Sequence, residues 1–178
     1  TPIQGMDNRL VGTLVLLQDV TKMRRVADSL AHEARHDVLT GLVNRREFQL
    51  RLEAAFAGTR KRNETHALCY LDLDQFKVIN DSCGHATGDE LLRKVTELLK
   101  SMLRGDETLA RLGGDEFGLL IRNVGLDDGV KIAERMLAAI KAFRLDWQGR
   151  TFGIGVSIGV TTMTRKSTDL NSVVSIAD

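Results

Sequence analysis

The sequence predicts an α/β fold in which helices wrap a central, mainly antiparallel sheet. Segments with strand and helix periodicity interleave along the chain, but without the strict strand–helix–strand repeat of a parallel sheet. Two apolar runs within 109–121 are separated by Gly113 and Gly114, which predicts a β-hairpin. The length of 178 residues suffices for one domain with its own core and an appended segment.

The composition is typical of a globular protein, with 43% hydrophobic and 28% charged residues. A net charge of +1 predicts no strong attraction to nucleic acids or acidic membranes, and six Phe, one Tyr and one Trp are too few for a nucleic-acid stacking platform. Cys69 and Cys83 lack metal-binding spacing, and the sequence shows neither a signal peptide nor an apolar run of membrane-spanning length. We therefore expect reduced thiols, a cytoplasmic location and no nucleic-acid partner.

The N-terminal elements are predicted to be a strand over 10–20 and a helix over 22–36, with Thr21 as its N-cap. A single strand cannot bury itself, so we expect its partner sheet to lie outside this sequence. In the helix, Met23 and Leu30 are seven residues apart, which fits a short coiled coil. A plain amphipathic helix fits the same pattern.

Hydrophobic periodicity predicts the remaining elements. Helices are predicted over 46–62, 88–103, 127–143 and 169–178. Strands are predicted over 67–73, 109–112, 117–121 and 153–162, with a small hairpin over 145–152. Residues 37–45 are predicted to break the helical pattern, and residues 74–80 to form a turn.

Two acidic clusters are candidates for binding a metal-bound polyphosphate. Gly113–Glu116 combines two glycines, which allow close approach to the backbone, with two carboxylates at the predicted hairpin tip. Asp72 and Asp74 end the strand predicted over 67–73, where alternate residues share a face. Carboxylates from two such segments would form the all-oxygen site that Mg²⁺ prefers. Taken alone, the hairpin motif is also compatible with solvated surface acids.

Polar residues that follow the second cluster suggest nucleotide binding. Lys77 would place a positive charge near phosphates. Asn80 and Asp89 could hydrogen-bond the edge of a base, since guanine offers both donors and acceptors. The alternative explanation is local, with Asn80 forming a turn and Asp89 capping a helix.

Together these segments resemble the GGDEF family of diguanylate cyclases. The matching segments are 37–45 (DVLTGLVNR), 72–77 (DLDQFK), 79–81 (IND), 84–89 (GHATGD), 111–117 (RLGGDEF) and 157–160 (SIGV). The resemblance covers 37–178 and implies an adenylyl-cyclase-like palm with a five-stranded sheet. It also implies condensation of two GTP molecules into cyclic di-GMP and two pyrophosphates, with Mg²⁺ or Mn²⁺. One domain holds one GTP, so turnover is expected to need a homodimer.

The resemblance implies roles for individual residues. Asp72, the carbonyl of Leu73 and Asp115 match metal ligands, and Asp115 also matches the proposed general base. Glu116 is the neighbouring acid of the site, and Lys77 matches the lysine that stabilises charge on the phosphates. The implied substrate-binding residues, with Asn80 and Asp89 as readers of guanine, are Phe76, Asn80, His85, Asp89, Gly113 and Gly114.

The chain departs from the family pattern at the product-inhibition motif RxxD. The corresponding window is Arg104–Glu107, in which glutamate replaces aspartate and Asp106 is out of register. Arg104, Glu107 and Arg135 are thus a candidate inhibitory site with an altered acid. For Arg135, the sequence favours the alternative explanation, a solvated helix residue.

The resemblance divides the chain into three parts. Residues 1–20 resemble the end of a PAS sensor domain, 21–36 a signalling helix, and 37–178 a GGDEF domain truncated at its C-terminus. In the family, a Lys/Arg-bearing segment after the last helix holds the triphosphate, so we expect this chain to bind GTP more weakly than a complete domain. The alternative function is a GTP-binding regulatory domain that controls an attached EAL cyclic di-GMP phosphodiesterase.

Overall fold

A computed structural model describes residues 2–4, 10–13 and 21–177. The chain forms two compact units, Thr1–Ala34 and Arg35–Asp178. In the first unit, strands β1 (Pro2–Gln4) and β2 (Leu10–Thr13) pair antiparallel. The expectation that the strand beginning at Leu10 has its partner outside this sequence is therefore wrong for β2. Helix α1 (Thr21–Glu33) follows and ends before the predicted position 36. Residues 14–20 of the predicted strand lie outside the described residues, and the PAS-like assignment of 1–20 stays a prediction.

The second unit contains twelve elements. It begins with β3 (Val43–Asn44), α2 (Arg45–Arg62), β4 (His66–Asp74), α3 (Phe76–Cys83) and α4 (His85–Ser101). The hairpin of β5 (Thr108–Gly113) and β6 (Glu116–Ile121) comes next. The remaining elements are α5 (Leu126–Ala142), β7 (Leu145–Trp147), β8 (Arg150–Phe152), β9 (Gly155–Met163) and α6 (Leu170–Ala177).

A five-stranded sheet with the order β3-β5-β6-β4-β9 forms the centre of this unit. Only β3 and β5 run parallel, and the other three neighbouring pairs are antiparallel. The predicted fold class is therefore confirmed. Strands β7 and β8 form the small hairpin that the sequence predicts.

Helices cover both faces of the sheet because the side chains of β4 alternate between two hydrophobic clusters. Four residues of β4 pack with α4 and α5, namely Ala67, Cys69, Leu71 and Leu73. Leu68 packs on the opposite face with residues of α2 and α6, among them Phe48 and Val173. This α2/α6 face is also the one on which Asp72 lies, since it is an even number of residues from Leu68.

The predicted turn over 74–80 is wrong, because Phe76–Cys83 forms helix α3. The helix begins after Gln75, whose φ of 60° is left-handed and whose side chain makes no capping hydrogen bond. The sequence therefore carries no start signal of the usual kind. Asn80 lies inside α3 and Asp89 inside α4, so turn formation by Asn80 and capping by Asp89 are both wrong.

Candidate active site

A row of three polar side chains crosses the sheet on the α2/α6 face. Asp72 of β4 is directly opposite Glu116 of β6 and Ser157 of β9. Directly opposed residues of neighbouring antiparallel strands share a face, so all three side chains point the same way. The row brings the predicted acids of β4 and of the β5–β6 hairpin together, although they are far apart in the sequence.

A cavity of about 260 Å³ lies over this row. Asp72, Glu116 and Ser157 line it together with Ala177 near the end of α6. Asp74 lies next to the row, where the Ser157 hydroxyl donates a 2.8 Å hydrogen bond to its Oδ1. The cavity thus concentrates acceptor oxygens on one side of the sheet.

The alternation at the end of β4 confirms that Asp72 and Asp74 share a face. Both are exposed, whereas Leu71 and Leu73 are buried in the core. The packed leucines fix the direction in which the two carboxylates point.

The turn between β5 and β6 has a backbone that only glycine adopts readily. Gly113 has a φ of 149° and Gly114 a φ of 51°, and a Cβ at either position would meet no atom within 4 Å. The Leu73 N–H donates a 3.3 Å hydrogen bond to the carbonyl of the next turn residue, Asp115. The end of β4 and the acidic turn are therefore in direct backbone contact, with open space over the glycines.

Arg45, the first residue of α2, contacts the hairpin at two points. Its Nε donates a 2.7 Å hydrogen bond to the Leu112 carbonyl, and its Nη2 lies 2.7 Å from Glu116 Oε2. The side chains of Arg45 and Glu116 are 66% and 47% exposed, so the pair contributes little to stability. Its effect is to orient the Glu116 carboxylate beside Asp72.

Arg111 contacts the same turn from β5. Its Nε and Nη2 donate hydrogen bonds of 3.0 and 2.8 Å to the Gly114 carbonyl. Its Nη1 lies 3.2 Å from Oδ1 and 3.3 Å from Oδ2 of Asp37. The side chain of Arg111 is only 14% exposed, and its bonds to Asp37 are partly buried, whereas its bonds to the Gly114 carbonyl lie in the exposed turn.

The Asp37 carboxylate is set up to stay charged. Burial alone would raise the pKa of this carboxyl. The hydroxyl and the N–H of Thr40 both donate hydrogen bonds to it, and the Arg111 guanidinium lies beside it, and together these interactions lower the pKa by more than burial raises it. The pKa of Asp37 is accordingly lower than that of an ordinary aspartate.

Apart from Gly113 and Gly114, the predicted nucleotide-binding residues lie on α3 and α4, which follow the end of β4. Lys77 and His85 are exposed, and Asn80 and Asp89 are half-buried. The Phe76 side chain is only 7% exposed and belongs to the core. Its ring therefore packs in the core, and its backbone at the start of α3 is the part that could line a triphosphate site.

Close packing between α3 and α4 places Asn80 against Gly88. A Cβ at position 88 would come within 2.0 Å of Asn80 Oδ1 and 3.1 Å of the Phe76 ring. The absence of a side chain at Gly88 thus makes room for the Asn80 amide, which lies beside the helix turn that carries Asp89.

The residues predicted to hold a metal are compatible with a hard cation. The structure contains no group of three or more His, Cys, Asp or Glu side chains arranged for a metal among the residues it describes. The predicted set is smaller, since Leu73 would contribute only its backbone oxygen beside Asp72 and Asp115. Carboxylate and carbonyl oxygens suit Mg²⁺ or Mn²⁺, whose remaining positions water and phosphate oxygens usually fill.

The three residues of the candidate inhibitory site line one cavity of about 440 Å³. Arg104 and Glu107 come from the loop before β5, and Arg135 comes from α5. Glu107 Oε2 accepts hydrogen bonds of 2.9 and 3.0 Å from the N–H groups of Arg104 and Gly105. The altered acid is thus engaged in holding its own loop.

Sequence reasoning assigned no role to several residues that the structure places around the site. Asp37, Arg45, Arg111 and Ser157 all lie within segments singled out above, but their partners come from distant parts of the chain. In the sequence, the only indication that these residues belong to the site was their position within the segments that match the family. The contacts themselves depend on the sheet register.

Comparison with known proteins assigns the chain to a family. The family model described as "Diguanylate cyclase, GGDEF domain" matches residues 34–178. The chain belongs to the GGDEF domain family.

Two curated relatives illustrate the similarity. The chain is 40% identical over 178 residues to the probable diguanylate cyclase DgcE of Escherichia coli K12, covering 100% of this chain and 16% of DgcE. It is 38% identical over 154 residues to the cyclic di-GMP phosphodiesterase PdeB of Shewanella oneidensis, covering 86% of this chain and 18% of PdeB. The chain thus spans less than a fifth of the length of either relative.

A solved structure shows the same fold. The coiled coil and GGDEF domain of DgcB from Caulobacter crescentus, crystallised with c-di-GMP, matches with a TM-score of 0.82 and 27% identity. The match covers 90% of this chain and 85% of the DgcB chain.

Within the described part of the present chain, no helix is both long and apolar enough to cross a membrane.

Proposed function

We propose that this chain is the catalytic domain of a diguanylate cyclase, which condenses two GTP molecules into cyclic di-GMP and two pyrophosphates. The observation that carries the proposal is the row of Asp72 and Glu116 on one face of the sheet, in backbone contact with the Gly113–Asp115 turn. Family membership and the similarity to named diguanylate cyclases support the same activity.

The reaction makes two phosphodiester bonds. The 3′-hydroxyl oxygen of each GTP attacks the α-phosphorus of the other, the bond to pyrophosphate breaks, and the hydroxyl proton passes to a base, for which we propose Asp115. Asp72, the Leu73 carbonyl and Asp115 would hold Mg²⁺ or Mn²⁺, which would supply charge neutralisation and a lower hydroxyl pKa. Lys77 would stabilise charge on the phosphates, and Glu116 would add a second acid beside Asp72.

The substrate would be selected through its base. We propose that Asn80 and Asp89 hydrogen-bond the edge of guanine, with His85 nearby. The side-chain amide of Asn80 and the carboxylate of Asp89 supply the donor and acceptors that this edge requires. The open backbone of Gly113 and Gly114 would accommodate the triphosphate.

Turnover would require two copies of the domain. Each site holds one GTP, and each 3′-hydroxyl must reach the nucleotide of the opposite copy, which implies a homodimer with a twofold axis. In the whole protein we expect a PAS-like domain upstream, the possibility of an EAL domain downstream, and a cytoplasmic location where GTP is supplied.

The cavity of Arg104, Glu107 and Arg135 is the proposed site for the product.

The test is to incubate the chain with GTP and Mg²⁺ and to separate the products by chromatography. We expect cyclic di-GMP and two equivalents of pyrophosphate, and loss of both products in the Asp115→Asn variant. Glu97→Gln is the matched control, since Glu97 is a surface carboxylate paired with Lys94 on α4. GTP binding without product, in this chain and in the whole protein, would favour the regulatory alternative.

A further inference from the structure

A hydrogen bond between β4 and β9 fixes the direction of one hydroxyl proton beside the acidic row. The Ser157 hydroxyl donates to Asp74 Oδ1 at 2.8 Å. Gly155 is directly opposite Asp74 on β9, and a Cβ at this glycine would collide with Asp74 Oδ2. The absence of a side chain at Gly155 therefore lets the Asp74 carboxylate lie across β9 within reach of Ser157.

This bond determines what Ser157 offers to its other neighbours. A serine hydroxyl has one proton and two lone pairs, and a carboxylate can only accept a hydrogen bond. The proton of Ser157 is therefore used by Asp74. Ser157 is also directly opposite Asp72 and lines one cavity with Asp72 and Glu116. Toward this cavity the Ser157 oxygen is consequently an acceptor, like the carboxylates beside it.

An acceptor oxygen next to carboxylates needs a donor that such a site can supply. Mg²⁺ and Mn²⁺ bound through one or two carboxylates usually keep several water ligands. The hydrogens of these waters point away from the cation, and groups that accept from them raise the affinity of a site for its metal. The Ser157 oxygen lies across from Asp72, which is a proposed ligand, so it is placed to accept from such a water.

We propose that Ser157 accepts a hydrogen bond from a water ligand of the cation at Asp72, and that Asp74 is the positioning residue that keeps the Ser157 proton away from this site. The inference rests on one part of the proposed function, namely that Asp72 helps to hold a divalent cation. Neither Ser157 nor Asp74 would contact the metal directly, but both would set its affinity.

The experiment measures the binding of Mn²⁺ alone, by electron paramagnetic resonance titration of the chain without nucleotide. This readout does not depend on turnover. Asp72→Asn identifies the proposed site, because it should abolish the binding. Thermal unfolding of each variant without Mn²⁺ is measured in parallel and should match that of the original chain, since Ser157 and Asp74 are both exposed.

The first comparison concerns Ser157. We expect Ser157→Ala to weaken Mn²⁺ binding about tenfold, which is the size of effect that partners of metal ligands commonly have. Ser157→Thr keeps a hydroxyl and should bind Mn²⁺ within about twofold of the original chain. Ser172→Ala is the matched control, since the Ser172 hydroxyl also donates to an aspartate, at 2.7 Å from Asp169 Oδ2. It should leave Mn²⁺ binding unchanged.

The second comparison separates the hydrogen bond of Asp74 from its charge. Asp74→Asn and Asp74→Ala remove the same charge, but only asparagine keeps an oxygen that can accept from Ser157. Asp74→Ala should therefore weaken Mn²⁺ binding about tenfold, and Asp74→Asn by no more than about threefold. Gly155→Ala keeps the charge and pushes the carboxylate away from Ser157, so it should resemble Asp74→Ala.

Unchanged Mn²⁺ affinity in Ser157→Ala, with binding still lost in Asp72→Asn, would overturn the role of Ser157. Equal losses in Asp74→Asn and Asp74→Ala would show that Asp74 acts through its charge and would overturn its positioning role. Absence of Asp72-dependent Mn²⁺ binding in the original chain would overturn the inference as a whole. The proposed function is decided separately, by the formation of cyclic di-GMP from GTP.

Discussion

The Leu73 N–H donates a 3.3 Å hydrogen bond to the Asp115 carbonyl, so backbone pairing joins the two acidic segments. The alignment of these segments therefore does not depend on the carboxylates themselves. The acids of β4 and of the β5–β6 turn therefore lie on one face without being needed for folding. Such an arrangement is expected where a residue is kept for its chemistry and not for stability.

The first prediction concerns Asp72. Asp72→Asn should lower the rate of cyclic di-GMP formation about 10³-fold, since an amide is a poor ligand for a hard cation, while the free energy of unfolding changes by less than about 1 kcal/mol. Product chromatography and thermal unfolding check the two parts. A large loss of stability in Asp72→Asn would show that the acid is structural, and Glu97→Gln serves as the surface control.

The second prediction concerns the packing of α3 on α4. Gly88→Ala should weaken GTP binding about tenfold, because a Cβ at this position collides with the Asn80 amide and displaces the proposed guanine contact. Stability should change little, since alanine favours the helix by about 1 kcal/mol and the atom in the way belongs to a side chain. Calorimetric titration with GTP measures the binding.

Gly129→Ala is the matched control for this prediction. Gly129 is also a helical glycine, and its added Cβ would come within 2.8 Å of Ala67 in the core. It should destabilise the fold by about 1–3 kcal/mol through overpacking and leave the affinity for GTP unchanged. Equal affinities in Gly88→Ala and the original chain would count against guanine recognition by Asn80.

The third prediction concerns pH and His66. His66 is 1% exposed, and its Nδ1 accepts a 3.1 Å hydrogen bond from the Asn123 N–H, which requires an unprotonated nitrogen. Burial lowers the pKa of His66 below its ordinary value, and the nearby Glu64 carboxylate only partly opposes this effect. The folded chain therefore binds fewer protons than the unfolded chain just below the ordinary histidine pKa.

Stability should consequently be complete above about pH 6.5 and fall as the pH drops from there toward the lower pKa of the folded state. Chemical unfolding at a series of pH values measures this slope. His66→Asn keeps a hydrogen-bond acceptor without a titrating ring, and its slope between pH 7 and pH 5.5 should be shallower. An unchanged slope would exclude His66 as the source, and His32→Asn on α1 is the exposed control.

The fourth prediction concerns the cavity of Arg104, Glu107 and Arg135. If the product binds there, Arg135→Ala and Arg104→Ala should each weaken cyclic di-GMP binding about tenfold, because each removes a cation that can pair with a phosphate. Lys141→Ala on the same helix as Arg135 is the control. Binding that is unaffected by either arginine would place the product elsewhere.

Sequence alone predicted the fold class and the shared face of Asp72 and Asp74 for a clear physical reason. Alternation along β4 fixes which side chains are buried, and Leu71 and Leu73 force Asp72 and Asp74 onto the opposite face. Periodicity of this kind needs no knowledge of the partner strands. It was therefore the most reliable guide to the candidate site.

The missed features depend on contacts that no local pattern encodes. Helix α3 starts after Gln75, which has a left-handed backbone and no capping bond, and the two-residue strand β3 is too short to show alternation. The partners of Arg111 lie 74 residues away at Asp37 and three residues away at Gly114. Only the sheet register brings Asp37 and Arg111 together.

The placement of Asp72 and the leucines on alternate positions of one strand has an evolutionary consequence. A single-residue insertion or deletion within β4 would carry the acid into the hydrophobic layer and expel a leucine to water, so the same event would damage both folding and chemistry. Length changes in this strand should therefore be purged even in copies of the domain that no longer need an active site, whereas point substitutions of the acid should accumulate freely there.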